Sequence, residues 1–80
     1  MNYNQLINLL PNETELHYRE DCTNFFNDNE LDPADYTEYK FLIFSETVDY
    51  FPAVVDALQN NNILHEVKKD EWNLKYILIK

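Results

Sequence analysis

Not one of the 80 residues is glycine, and this absence constrains the chain more than any motif it contains. Glycine reaches positive φ without a steric penalty, so tight turns and left-handed helix caps must here be made by asparagine, aspartate or residues that carry strain. Phosphate-cradling loops, dinucleotide fingerprints and nucleophile elbows need glycine where a Cβ would block a sharp turn or a close approach to ligand. Those classes of function are excluded.

The length predicts a single domain over residues 1–80. Apolar residues make up 45% of the chain and aromatics 15%, enough core material to fold despite a net charge of −9. A domain this small buries only about 60–65% of its unfolded surface, too little to enclose a large cofactor. The expectation is therefore a non-enzymatic protein with no cofactor and no bound metal. A lone cysteine, Cys22, cannot form an internal disulfide, which points to a reducing cytoplasm. The first residues, MNYNQLINLLPNE, lack the basic and long apolar regions of a secretory signal, and no apolar run approaches a membrane span. Scarce Lys and Arg argue against direct binding to nucleic acid or anionic lipid.

Hydrophobic spacing predicts an α+β domain, with two or three helices packed on one face of a three- or four-stranded sheet. Residues 39–44 alternate apolar side chains on both faces of a strand. Asp49 is a helix N-cap with Pro52 in the first turn, and Phe51, Val54, Val55 and Leu58 follow at the spacing of one helical face. Asn60, Asn61 and Asn62 close that helix, asparagine being the best left-handed substitute for glycine. Residues 63–67 and 72–79 read as strands joined by a charged turn at residues 68–71, giving strand-helix-strand-strand. In front of them, residues 4–10 form a short helix stopped by Pro11. Residues 13–28 fit a longer helix with Tyr18, Cys22, Phe25 and Phe26 on one face, although Leu16 and Tyr18 around His17 also suit a short strand. Residues 29–35 form a loop. The expected core is Phe41, Ile43, Phe51, Val54, Val55, Leu58, Leu74, Tyr76 and Leu78.

Charge is distributed unevenly. Residues 1–36 hold eight acids against Arg19 alone, whereas residues 37–80 hold seven acids against five lysines. Ser45, the one serine, has no recognisable histidine partner and suits a turn. Glu13, His17 and Asp21 would share a face if residues 13–28 were helical, but one histidine with two carboxylates makes a weak zinc site. The acidic surface is the stronger feature. Glu20, Asp21, Asp28, Glu30, Asp32 and Asp35 would attract a basic protein partner, with Tyr18, Tyr36 and Tyr39 among them as anchors. A carboxylate cluster of this kind can imitate phosphate spacing in the basic groove of a nucleic-acid enzyme. The alternative is an immunity protein or antitoxin that blocks a cognate toxin. The expected state is a monomer, or a homodimer in which the strand that closes the chain pairs with its copy.

Phe25-Phe26-Asn27-Asp28-Asn29, then Leu31-Asp32-Pro33 ahead of the aromatic strand at residues 39–44, the helix with Val54, Val55 and Leu58, and a closing hairpin with Trp72 follow in a suggestive order. Over about residues 24–80 this resembles the family of the regulator of ribonuclease E activity B, small acidic inhibitors of an RNA-degrading enzyme. The resemblance implies a ferredoxin-like two-layer α+β sandwich and a non-enzymatic regulator.

Overall fold

A computed structural model describes residues 1–44, 51–69 and 75–80. The helices are α1 (Tyr3–Leu9), α2 (Thr23–Asp28) and α3 (Phe51–Asn60), and the strands are β1 (Leu16–Tyr18), β2 (Phe41–Phe44), β3 (His65–Lys69) and β4 (Lys75–Ile79). Single 3-10 turns lie at Arg19–Asp21 and Pro33–Tyr36. The strands form one antiparallel sheet in the order β1-β2-β4-β3, so β2 and β3 run the same way with β4 between them. The expected mixed α+β class and the strand-helix-strand-strand order are both present.

The central pair, β2 and β4, explains how the layers form. Both are continuous apolar runs, and alternate side chains point to opposite faces of the sheet. Phe41, Ile43, Ile77 and Ile79 face α1 and α3, where they meet Leu6, Leu10, Phe51, Val54 and Leu58. Leu42, Phe44, Tyr76 and Leu78 face the other way, onto Cys22, Phe25 and Phe26. Helices therefore cover both faces, which corrects the expectation of two layers with all helices on one side. The physical reason lies in the strands themselves, because a two-sided apolar strand leaves an exposed apolar face unless both sides are covered.

The short elements follow from local chemistry. Asn2 caps α1 through a reciprocal pair of hydrogen bonds: the Gln5 amide donates to Asn2 Oδ1 at 2.8 Å, and the Asn2 amide donates to Gln5 Oε1 at 3.0 Å. Pro11 restricts Leu10 to extended backbone, and α1 ends there. The stripe expected for α3 is present with Phe51, Val54 and Leu58 buried, while Val55 is only half-buried at the edge of the core. Asn62 takes a φ of 55° after α3, with Ile63 N–H donating to Leu58 O and Asn62 N–H to Gln59 O. This is the left-handed cap that the asparagine run predicts.

Three other expectations are corrected. Residues 13–28 are not one helix: the chain makes β1, a 3-10 turn and then α2, and the short-strand reading of Leu16 and Tyr18 is the one observed. β1 pairs antiparallel with β2, from Leu16 against Ile43 to Tyr18 against Phe41, and this nonlocal ladder prevails over local helix spacing. Within the loop placed at residues 29–35, Pro33 opens a 3-10 turn capped by the Asp32 carboxylate, which accepts from Ala34 N–H at 3.0 Å. β3 begins two residues later than expected and runs through Lys68 and Lys69, where the sequence predicts a turn. Ser45, Asp49, Asp70, Glu71, Trp72 and Leu74 lie outside the described residues.

β4 is hydrogen-bonded on both sides, so the strand that closes the chain is not a sheet edge and cannot pair with a copy. The edges are β1 and β3. No helix among the described residues is long and apolar enough to cross a membrane.

Candidate functional site

The segment covering the second face carries the predicted carboxylates. Its apolar residues Cys22, Phe25 and Phe26 turn inward and are buried, with Leu31 and Tyr36 packed beside them. Glu20, Asp21, Asp28, Glu30, Asp32 and Asp35 alternate with these residues and are all exposed. The folding of residues 19–36 thus sorts one stretch of chain into an aromatic underside and an acidic outer surface.

None of these six carboxylates forms an ion pair among the described residues. The pairs that exist lie elsewhere: Lys68 with Glu66 at 3.8 Å and Lys80 with Glu38 at 3.4 Å. Asp32 is partly occupied by its capping bond. Glu30 sits at a φ of 57°, a left-handed position after α2, with Leu31 N–H donating to Phe26 O at 2.8 Å and Glu30 N–H to Asn27 O at 3.3 Å. That is the same cap as at Asn62, made with a residue poorly suited to it.

The three tyrosines separate. Tyr18 is 43% exposed and stacks on Tyr3 at 5.3 Å, so it is held in place yet presented to solvent. Tyr36 is half-buried, lying on Phe26 at 5.2 Å with the Lys68 ammonium 5.9 Å from its ring centre. Tyr39 is only 4% exposed, which removes it as a partner anchor. It lies just before β2, packs with Leu42, Tyr76 and Leu78, and donates its hydroxyl hydrogen bond to Glu66 on β3. That bond, reinforced by burial and by the nearby charge of Glu66, pushes the phenol well above its ordinary range. Its place among the acids in the sequence does not reveal this burial, because its partner Glu66 is distant in the chain.

Cys22 is buried, and its thiol donates to Tyr18 O at 3.2 Å. Burial pushes its pKa up, with Asp21 adding to the rise and Arg19 opposing it, so the side chain behaves as a core residue rather than a nucleophile. The shared face of Glu13, His17 and Asp21 does not exist, since these residues fall in a turn, in β1 and in a 3-10 turn. His17 stacks on Phe44 at 4.9 Å instead. Among the described residues no three His, Cys, Asp or Glu side chains are placed to share a metal ion.

Sequence reasoning missed the surroundings of Arg19. Its Nε donates to Tyr39 O at 3.1 Å and its backbone N–H to Lys40 O at 2.8 Å, so the start of the acidic segment is tied to the start of β2. Arg19 and Lys40 line an open cavity of about 270 Å³ beside Tyr18. A lone arginine in an acidic stretch was the available signal. Comparison with family models, with curated proteins and with solved structures gives no match.

Proposed function

We propose that this chain is a small non-enzymatic regulator or inhibitor that binds a basic protein through the acidic outer surface of residues 19–36. The observation that carries the reading is the group of six exposed carboxylates with no ion pair among the described residues, borne on a segment anchored by buried aromatics. Unpaired carboxylates on an ordered scaffold keep their full field toward solvent, which accelerates encounter with a basic surface and selects against acidic ones. Tyr18, exposed beside this segment, supplies an aromatic contact of the kind that concentrates binding energy.

The partner class we favour is a nucleic-acid enzyme, whose basic groove presents the complementary charge. The resemblance to the regulator of ribonuclease E activity B supports that choice, and the unit β2-α3-β3-β4, in which β4 lies between the parallel β2 and β3, is compatible with the fold that this resemblance implies. A reducing cytoplasm is the compartment consistent with a single buried thiol.

The test is affinity capture from a lysate of the source cell, washed at low and high salt, alongside a variant carrying Asp28→Asn, Glu30→Gln, Asp32→Asn and Asp35→Asn. Asparagine at position 32 retains an oxygen for the Ala34 cap. The reading expects a nucleic-acid enzyme to be retained at low salt, released at high salt and lost with the variant, because exposed charges are screened beyond about 8 Å at physiological ionic strength. Capture that is indifferent to both salt and the amide variant overturns it.

A further inference from the structure

The cavity beside Arg19 has a polarity opposite to its surroundings. Arg19 is half-buried and its Nε is committed to the Tyr39 carbonyl, yet it makes no ion pair among the described residues, although Glu20 and Asp21 are its neighbours in sequence. A guanidinium offers five N–H donors, and the bond from Nε leaves the four on its terminal nitrogens. Lys40 lines the same cavity, together with Tyr18, Thr37 and Phe41. The aromatic wall is preorganised, since Tyr18 is braced by Tyr3 at 5.3 Å and by Phe41 at 5.5 Å.

We propose that this cavity is a binding site for a carboxylate on a short apolar stem. The planar terminal edge of the guanidinium matches two carboxylate oxygens, Lys40 adds a second positive charge, and the exposed ring of Tyr18 covers the carbon stem. A monoanion is favoured over a phosphate dianion for two reasons: Glu20 lines the same cavity, and the chain carries a net charge of −9. The carboxylate can belong to a free organic acid or to an acidic side chain of a protein. The site does not depend on the acidic-surface reading, which small probes do not engage.

The experiment is an NMR titration of the full chain at constant ionic strength, following the Arg19 Nε–H and the amides of Arg19 and Lys40. One arm uses phenylacetate, with phenylacetamide as the neutral counterpart. A second uses a blocked tripeptide with a central glutamate against its glutamine counterpart, and a third uses inorganic phosphate. Saturable shifts with a carboxylate, absent with its neutral counterpart and weaker with phosphate, support the site; the tighter carboxylate arm identifies the source. Arg19→Lys is expected to weaken binding about tenfold or more, the scale of losing charge-assisted hydrogen bonds. Lys40→Gln, at an exposed position that leaves the core untouched, is expected to weaken it roughly two- to fivefold. Equal shifts from the neutral counterparts, tighter binding of phosphate, or an affinity unchanged in Lys40→Gln each overturn the proposal, even if Arg19→Lys fails to fold.

Discussion

One face of the sheet is covered by the seven-residue α1 and the ten-residue α3, the other by the six-residue α2 and irregular chain. The first interface is mainly aliphatic, with Leu6, Val54 and Leu58 against Ile43, Ile77 and Ile79. The second is aromatic: Phe25 lies 4.5 Å from Phe44 and 5.5 Å from Tyr76, and Phe26 stacks on Tyr36. Helices shorter than about 12–15 residues are marginal by themselves, so α2 persists only through the rings beneath it. Those rings must also hold down a segment whose carboxylates repel one another. The acidic surface and the cover with less helix are the same piece of chain, so binding and local stability are coupled there.

The largest effect is expected at Phe26, which is 1% exposed beneath the acidic segment. Phe26→Ala is expected to cost about 3–5 kcal/mol and Leu58→Ala about 2–5 kcal/mol by chemical denaturation. Losses of that size approach the whole stability of a small domain, so Phe26→Leu is the informative companion. In Phe26→Leu, amide exchange should accelerate across residues 19–36 before it does so in α3, as expected for a unit that opens by itself. Exchange that rises equally in both regions would mean that the two covers unfold together and that the proposed coupling is absent.

The same contrast explains what could be read from sequence. The two central strands were legible as four-residue apolar runs, and α3 was legible from the stripe Phe51, Val54 and Leu58. Residues 13–28 were harder because two periods overlap. Leu16 and Tyr18 have strand spacing, while Tyr18, Cys22, Phe25 and Phe26 have helical spacing even though a 3-10 turn intervenes. Only the pairing of β1 with β2 decides between them, and that contact joins residues far apart in the chain. The exposed carboxylates of the candidate surface were legible from charge alone. Burial of Tyr39 was not, because it depends on Glu66 and on strand β3, and the cavity at Arg19 likewise depends on where β2 begins.

Tyr39 offers an intermediate effect, read through pH. Its phenol is raised in the folded state, so at alkaline pH the folded protein keeps a proton that the unfolded chain has released. Stability from this group is fully present below the unfolded tyrosine pKa of about 10 and falls as pH rises above it. The raised thiol of Cys22 acts in the same direction from its ordinary value of 9.0 upward. Tyr39→Phe should therefore lower stability at neutral pH, where a bond to Glu66 is lost, and flatten the decline above pH 10. An alkaline decline as steep in Tyr39→Phe as in the parent would show that the bond to Glu66 is not what links the aromatic face to β3.

The smallest effect tests the two glycine-free helix caps against each other. Asn62 and Glu30 hold equivalent left-handed positions, with φ of 55° and 57°, and both caps use the same pair of backbone hydrogen bonds. Asparagine tolerates this conformation, whereas a longer side chain meets the steric cost of about 1–2 kcal/mol that glycine avoids. Glycine in turn makes the unfolded chain more flexible, which offsets part of the gain. Glu30→Gly should therefore stabilise the protein by roughly 0.5–1 kcal/mol, and Asn62→Gly by a few tenths at most. Glu30→Gln, which removes the charge and keeps the Cβ, separates relief of backbone strain from relief of repulsion within the acidic segment. If Glu30→Gln stabilises as much as Glu30→Gly, repulsion is the cost at this position; if only Glu30→Gly does, the penalty is steric and the acidic surface carries its charge without strain.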